Sequence, residues 1–220
     1  MVELKRNLNP DQVHSNLQAV KKRITIAAES CGRDPSQVEI CVATKYVAIE
    51  EMGVLAQAGI TLVGENRAQD LVAKVAAWPD LFTWDFIGRL QSRKVKTVAP
   101  LVRLIHSVAS DSVLAQLEHH KPVGEEVLVE INIAAESSKD GIMADQLGDF
   151  IRRCPVRVGG IMVMAPLAGE PEVNRQYFAQ ARGLAMLHGV ERLSMGTTQD
   201  FEVAVQEGAT IVRIGTILFS

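Results

Sequence analysis

Signals for strands and for helices alternate along this whole chain, and that alternation limits the fold more than any other feature. The strand signals are short, apolar and rich in β-branched residues, and most of the segments between them have helical patterns. We predict about eight strands, at residues 38–44, 61–64, 83–88, 104–108, 126–133, 158–164, 193–196 and 210–214. Strands that alternate with helices pair in parallel through right-handed crossovers, which predicts an α/β fold.

The number of units favours a closed sheet, a TIM-type (β/α)8 barrel that spans residues 1–220 as a single domain. An amphipathic helix predicted at residues 13–31 precedes the first strand, and only a few residues follow the last strand. We therefore expect this N-terminal helix to cover the gap left by the missing last helix. An open, doubly wound sheet, which needs no eighth cover, is the alternative architecture.

Composition excludes several classes of partner. The chain is 47% hydrophobic and 22% charged, with a net charge of -3, so it lacks the basic patch of a nucleic-acid-binding protein. No apolar run reaches the length of about 18 residues that a membrane span needs, and the N-terminus lacks the apolar stretch of a signal peptide. Three cysteines without ligand spacing predict neither disulfides nor a metal site. We expect a cytoplasmic, monomeric protein with a small-molecule partner.

Lys45 stands directly after the first predicted strand, where barrel proteins bind their ligands. A lysine at such a position commonly extends to solvent. In an apolar pocket, however, it can supply the free amine that attacks an aldehyde. The chain around it favours the second interpretation, because unusual polar residues follow the ends of other predicted strands as well.

Two loops after the last two predicted strands are suited to phosphate. The segments 193–198 and 212–216 combine glycine with hydroxyl residues. Barrels often bind phosphate at this place through backbone N–H groups and hydroxyl donors. Either glycine alone could serve only a tight turn. Together with Lys45, the two loops predict a site for a phosphorylated aldehyde.

At this point the chain resembles a known family, the pyridoxal phosphate homeostasis proteins, which are built on the alanine-racemase type of barrel. The resemblance runs nearly from end to end and depends on several short motifs in a fixed order. They are Ala43-Thr44-Lys45, Gly64-Glu65-Asn66 with Gln69, Phe86-Ile87-Gly88 with Leu90, Gln91 and Lys94, Ile131-Asn132-Ile133 with Lys139 and Gly141, Gly160-Ile161-Met162, Ser194-Met195-Gly196 with Asp200, and Val212-Arg213-Ile214-Gly215-Thr216.

The resemblance implies a cofactor and a role for each site residue. Lys45 would hold pyridoxal 5′-phosphate as a Schiff base, with Asn66 in the cofactor site and Arg213 facing the pyridine nitrogen. The residues implied around the phosphate are Ser194, Gly215 and Thr216. A guanidinium stays cationic and should keep the pyridine nitrogen unprotonated, which weakens the cofactor as an electron sink. The implied function is vitamin B6 homeostasis without enzymatic turnover, with delivery of the cofactor to apo-enzymes as an open possibility.

The sequence departs from the family pattern at a few positions. Thr197-Thr198 replaces the usual Met-Ser, and Thr198 keeps a hydroxyl for the phosphate. Arg93 replaces an asparagine and should belong to a solvated helix face. Asp85 and Arg89 also stand where the family commonly has other residues.

Two other functions compete with the homeostasis role. An amino-acid racemase would need a second acid or base on the opposite face of the cofactor. The only tyrosines are Tyr46, which strand alternation should point away from the barrel interior, and Tyr177, which lies in a helical stretch. Packing is the expected role of both. The third possibility is a protein-interaction module with a vestigial pocket.

Alternation along the first strand also predicts the position of one cysteine. If Lys45 points into the barrel mouth, Cys41 and Ala43 share its inward face, whereas Ile40 and Val42 face the surrounding helices. Cys41 should then be a core residue beneath the cofactor pocket.

Overall fold

A computed structural model of the chain describes residues 4–136, 139–167 and 170–220. Its centre is a closed barrel of eight parallel strands in chain order, in which the last strand pairs with the first. The strands are β1 (Glu39–Ala43), β2 (Leu62–Glu65), β3 (Thr83–Phe86), β4 (Leu104–Val108), β5 (Glu126–Ile131), β6 (Arg157–Val163), β7 (Arg192–Thr197) and β8 (Ile211–Ile214). The predicted (β/α)8 barrel is confirmed, and the open doubly wound sheet is wrong.

One helix precedes β1, and one follows each of the first seven strands. They are α1 (Pro10–Glu29), α2 (Met52–Gln57), α3 (Ala68–Ala77), α4 (Val95–Val98), α5 (Asp111–Leu117), α6 (Leu147–Arg153), α7 (Arg175–His188) and α8 (Phe201–Gln206). Only a short 3-10 turn, Thr216–Leu218, follows β8. The predicted bounds of β4 agree with the structure, and those of the other strands differ by at most two residues at either end. β1, β3 and β5 all end earlier than predicted, because the chain turns there into the loops at the barrel mouth.

The N-terminal helix covers the gap in the outer ring, as predicted. Asn9 caps it by accepting from the N–H groups of its first turn, and its apolar face is buried through Val13, Leu17, Val20 and Ile24. The helix packs between α2 and α8. Nδ1 of His14 lies 3.0 Å from the carbonyl oxygen of Ala58, at the end of α2, and Arg23 pairs with Glu202 of α8 at 2.8 Å.

The side chains of β1 alternate between the two sides of the barrel wall, as predicted. Cys41 is fully buried inside the barrel and packs in an inner cluster with Leu104, Leu128, Met162 and Ile211. Val42 and Ile40 belong instead to the large cluster between the strands and the helices. The phase assigned to the strand before Lys45 is therefore confirmed.

Two further features of the chain bear on its environment. The longest helix, α1, has 20 residues, and within the described ranges no helix is long and apolar enough to cross a membrane. Cys31, Cys41 and Cys154 are free thiols, and Cys31 is exposed.

Candidate functional site

A cavity of about 590 Å³ opens at the carboxyl ends of the strands, and it gathers most of the predicted site residues. Six of the seven line it: Lys45, Asn66, Thr198, Arg213, Gly215 and Thr216. They come from the loops after β1, β2 and β7 and from β8 with the loop that follows it. Ser194 is the exception, because its side chain is fully buried and is not part of the cavity wall.

Lys45 lies in the turn after β1 and is exposed to the cavity. Its Nζ lies 4.7 Å from the centre of the Tyr46 ring. A second cavity of about 630 Å³ adjoins the first and shares Lys45, Tyr46 and Asn66 with it. The expectation that Tyr46 points away from the barrel interior was wrong: strand alternation stops at Ala43, and the tyrosine beyond it borders both cavities.

The peptide before Lys45 is held by a buried ion pair. Lys74 of α3 donates to the carbonyl oxygen of Thr44 at 2.8 Å and pairs with Glu65 at the end of β2. The hydroxyl of Thr44 donates to the same carboxylate at 2.6 Å. Buried charges are tolerated only where they are paired and hydrogen-bonded, and these contacts satisfy both conditions. They anchor the chain at the residue before Lys45.

Asn66 presents an unpaired acceptor at the cavity. Its Oδ1 atom is buried and has no hydrogen-bond partner in the described part of the chain. The backbone of Asn66 approaches Gly88 so closely that a Cβ at position 88 would lie 2.0 Å from the Asn66 carbonyl oxygen. Only glycine permits this contact between the loops after β2 and β3.

The loop after β7 is shaped by one glycine and one aspartate. Gly196 has a φ of +88°, and a Cβ there would collide with Ala204 and Phe201. Asp200 accepts from the backbone N–H of Thr197 at 2.7 Å. The loop thereby places the hydroxyl of Thr198, which accepts from the backbone N–H of Gly215 at 3.3 Å. The two loops predicted to bind phosphate therefore meet at the cavity.

Arg213 is a buried cation on the cavity wall. Its guanidinium donates to the carbonyl oxygen and the hydroxyl of Ser194 at 2.7 and 2.6 Å, and to the carbonyl oxygen of Val163 at 3.0 Å. Burial lowers the pKa of the guanidinium from its ordinary value, and the nearby acidic groups Glu130 and Asp200 oppose that shift. Arginine remains protonated in proteins, so the cavity contains a fixed positive charge.

Glu130 of β5 also lines the cavity, and sequence reasoning missed it. Burial and the negative charge of Asp140 raise the pKa of its carboxyl to about 7. A signal was present in the sequence, because Leu128 faces the barrel interior and Glu130 follows it on the same side of the strand. A polar residue at an inward position of an apolar strand indicates a site.

Three residues that depart from the family pattern lie in three different environments. Arg93 is exposed on the outside, as expected. Arg89 borders the cavity and pairs with Asp140 at 3.2 Å. Asp85 is fully buried, accepts from Arg103 through both carboxylate oxygens and contacts His106.

A separate cavity of about 610 Å³ lies between α1 and the amino ends of β1 and β2, away from Lys45. Across the described residues, no group of three or more His, Cys, Asp or Glu side chains could hold a metal ion. The lysine-centred cavity combines an amine, a buried guanidinium and an unpaired acceptor with the two loops predicted to bind phosphate.

The donor set of that cavity fits pyridoxal 5′-phosphate. Lys45 supplies an amine for the aldehyde, and Thr198, Thr216 and the backbone at Gly215 offer hydroxyl and N–H groups to a phosphate. The volume is within the usual range for small-molecule sites, about 300–1,000 Å³. Fold and site together define a barrel with a lysine-centred cavity for a phosphorylated cofactor.

Comparison with known proteins identifies the family. No protein-family model matches the chain. Proteins named "Pyridoxal phosphate homeostasis protein" from Aquifex aeolicus and Pseudomonas aeruginosa are 37% and 33% identical to it, over 92% and 94% of this chain and 95% and 94% of theirs. The solved structure of PipY from Synechococcus elongatus with pyridoxal phosphate bound has a TM-score of 0.76 and 27% identity, over 94% of this chain and 100% of PipY. The chain belongs to the pyridoxal phosphate homeostasis protein family.

Proposed function

We propose that this protein binds pyridoxal 5′-phosphate as a Schiff base on Lys45 and serves vitamin B6 homeostasis without enzymatic turnover. The observation that carries the proposal is the single cavity in which the Lys45 amine, the two predicted phosphate loops and Arg213 meet. The names of the relatives and the cofactor bound to PipY support it. When bound, the cofactor supplies an electrophilic carbon and an aromatic ring that can withdraw electrons.

Each cavity residue then has a role. Thr198, Gly215 and Thr216 bind the phosphate by charge-assisted hydrogen bonds, and Asn66 uses its unpaired oxygen toward the ligand. Arg213 faces the pyridine nitrogen. Because a guanidinium donates and does not release its proton, it keeps that nitrogen unprotonated and lowers the electron-withdrawing power of the ring.

A racemase would need an acid or base across the cofactor from Lys45. Tyr46 is the next residue in the chain and packs its ring against the Lys45 amine, so it lies beside that amine. Tyr177 is a residue of α7, outside the barrel, and packs against the core between the strands and the helices. These positions support binding without turnover. Racemisation of alanine by the cofactor-loaded protein, at a rate that depends on Lys45, would contradict it.

Borohydride reduction tests the attachment site directly. The wild-type protein mixed with the cofactor should develop the visible absorbance of a Schiff base, and after reduction the pyridoxyl adduct should map to Lys45. Lys45→Ala should lose both signals, and Lys96→Ala, at an exposed position on α4, should keep them. An adduct mainly on Lys74 or Lys94 would contradict the assignment, and absence of any binding would favour the protein-interaction module.

The phosphate loops predict selectivity for the phosphorylated form. Pyridoxal should bind at least about tenfold more weakly than pyridoxal 5′-phosphate, because it cannot accept the charge-assisted hydrogen bonds at Thr198, Gly215 and Thr216. Titration of both compounds against the apo-protein measures the difference. Equal dissociation constants would contradict a phosphate site in these loops.

We also propose a monomer that acts in the cytoplasm and passes its cofactor to apo-enzymes. The exposed free thiol of Cys31 suits a reducing compartment. Size-exclusion chromatography tests the monomer. Reactivation of a purified apo-enzyme by the loaded protein, faster than by the same concentration of free cofactor, tests delivery.

A further inference from the structure

Four buried side chains from four strands form one line of hydrogen bonds through the barrel interior. Nε2 of His106 lies 3.1 Å from a carboxylate oxygen of Asp85, and its Nδ1 lies 2.8 Å from the hydroxyl oxygen of Ser194. That hydroxyl accepts from Arg213 at 2.6 Å. We call this set, Asp85, His106, Ser194 and Arg213, the buried relay. It ends at the cavity wall but begins outside the cofactor site.

Arg103 helps to keep the carboxyl of Asp85, at one end of the relay, ionised. Burial alone would raise the pKa of the Asp85 carboxyl, but hydrogen bonds from His106 and Arg103 outweigh burial and hold it below its ordinary value. Arg103 donates to both carboxylate oxygens, at 3.0 and 2.8 Å. Asp85 is therefore an ionised carboxylate that can only accept.

The proton on His106 follows from that carboxylate. Burial lowers the pKa of the imidazole, so the ring is neutral and has one N–H group. A carboxylate accepts only from an N–H, which places the proton on Nε2, toward Asp85. Nδ1 is then an acceptor, and the hydroxyl of Ser194 donates a hydrogen bond to it.

The hydroxyl of Ser194 is thereby oriented toward His106, and its oxygen lone pairs are left for Arg213. The other tautomer would leave the Ser194 oxygen facing two donors and the Nε2 lone pair facing a carboxylate. Only one direction of hydrogen-bond donation satisfies every group of the relay. The guanidinium donates to the hydroxyl, the hydroxyl donates to the imidazole, and the imidazole donates to the carboxylate.

We propose that Asp85 and His106 are positioning residues for Arg213, which they hold through Ser194 with its guanidinium fixed at the cavity wall. The relay itself is independent of any ligand, but its effect on cofactor binding rests on the proposed function. An arginine side chain has many rotamers, and holding Nη1 at Ser194 and Nη2 at Val163 fixes the guanidinium in one orientation at the cavity wall.

The tautomer of His106 can be measured in the apo-protein. Two-bond ¹H–¹⁵N correlation spectra of uniformly labelled protein should show one imidazole with Nε2 protonated and Nδ1 unprotonated, unchanged across the neutral pH range. Comparison with His106→Gln assigns this signal among the five histidines. A ring protonated at Nδ1, or at both nitrogens, would overturn the relay whether or not the protein binds a cofactor.

A set of variants tests the effect on Arg213. In His106→Gln the amide occupies the Nε2 end and removes the acceptor for Ser194, whereas in His106→Asn the amide oxygen replaces Nδ1. We expect His106→Gln to raise the dissociation constant for pyridoxal 5′-phosphate about tenfold and His106→Asn to restore most of the affinity. Leu104→Ala is the matched control, because Leu104 lies on the same strand and the same inward face.

The spectroscopic readout separates positioning from stability. With cofactor labelled by ¹⁵N in its ring, His106→Gln should shift the resonance of the bound pyridine nitrogen, whereas Leu104→Ala should lower the melting temperature and leave that resonance in place. Equal resonances and equal dissociation constants in the two variants would overturn the proposal. If wild type itself fails to bind the cofactor, the proposed function fails, and the tautomer measurement still decides the relay.

Discussion

The three cysteines have three different environments. Cys31 is exposed near the end of α1, Cys154 is half-buried and Cys41 is enclosed in the barrel. Burial raises the pKa of the Cys154 thiol and, more strongly, that of Cys41, where the charge of Asp85 adds to the effect. The thiolate is the nucleophile, so reactivity toward alkylating reagents should follow exposure.

We therefore predict that iodoacetamide labels Cys31 first, Cys154 more slowly and Cys41 only after unfolding. Peptide mapping of a time course in native buffer, with a denatured sample as the control, measures the order. Labelling of Cys41 in the native protein as fast as in the denatured sample would show that the phase of β1 is wrong and that Cys41 does not lie inside the barrel.

Glu130 should make stability depend on pH. The pKa of its carboxyl is about 7 in the folded protein, against an ordinary value of 4.5. Folding therefore takes up a proton between these pH values, so the free energy of unfolding falls as the pH rises through this window. The loss is complete above about pH 7, where the carboxylate is ionised in both states.

Glu130→Gln should remove this loss. We predict that the variant is as stable as wild type near the ordinary carboxyl pKa and more stable by about 1–2 kcal/mol above neutral pH, less than the full pKa shift implies because the side chain is half-buried. Urea unfolding of the apo-proteins at several pH values measures it. Glu191→Gln, at an exposed position, is the control. Parallel stability curves for Glu130→Gln and wild type would contradict the prediction.

For single residues, the sequence predicted those at the mouth of the barrel better than those in the barrel interior. Lys45, Thr198 and Thr216 follow directly from the ends of their strands. The partners of Arg213 could not be predicted in the same way, because His106 meets Ser194 across the barrel interior, at a height that depends on the register of the strands between them. That register shifts between β4 and β5 and again between β5 and β6.

Among the elements, α1 replaces a missing part of the outer ring, and its two faces can be compared directly. Ile24 is buried against the barrel, whereas Ile26, two residues on, is 58% exposed. We predict that Ile24→Ala lowers the free energy of unfolding by about 2–4 kcal/mol, since it leaves a cavity between the barrel and the helix that covers this gap. Ile26→Ala, the same chemical change, should stay within about 0.5 kcal/mol of wild type.

Chemical denaturation of both variants tests that pair. Equal losses would show that α1 is not packed against the barrel as described. The covering role of α1 was predictable because an unassigned amphipathic helix and an unfilled position existed together. The register shifts between β4 and β5 and between β5 and β6 were not, because nothing local in those strands marks them.

On the scale of the whole molecule, a network of ion pairs joins four of the eight strands, β1, β3, β5 and β7. Glu39 of β1 accepts from Arg103, which also holds Asp85 of β3, and from Arg192 of β7, which also pairs with Glu126 of β5. Such a network costs less side-chain entropy for each contact than isolated pairs do, because its members already restrict one another.

Glu39→Gln breaks two of these pairs at once. We predict a loss of about 1–2 kcal/mol, which corresponds to a melting temperature lower by about 2–8 °C for a chain of this size, and a smaller loss in high salt. Glu50→Gln is the control, because Glu50 pairs with Arg6 at 3.7 Å between two well exposed side chains. Differential scanning calorimetry at low and high ionic strength measures both, and identical shifts in the two variants would contradict a cooperative network.

The pairing of β8 with β1 has a consequence for how the protein is made. The two strands that close the ring come from opposite ends of the sequence, and the ribosome releases β1 long before β8. Until residues 211–214 emerge, β1 and β7 each present a row of unpaired backbone groups of the kind that associates with other chains. The nascent barrel is therefore most exposed to aggregation after β7 has emerged and before β8 does, and both edges are closed in one step when β8 pairs with them.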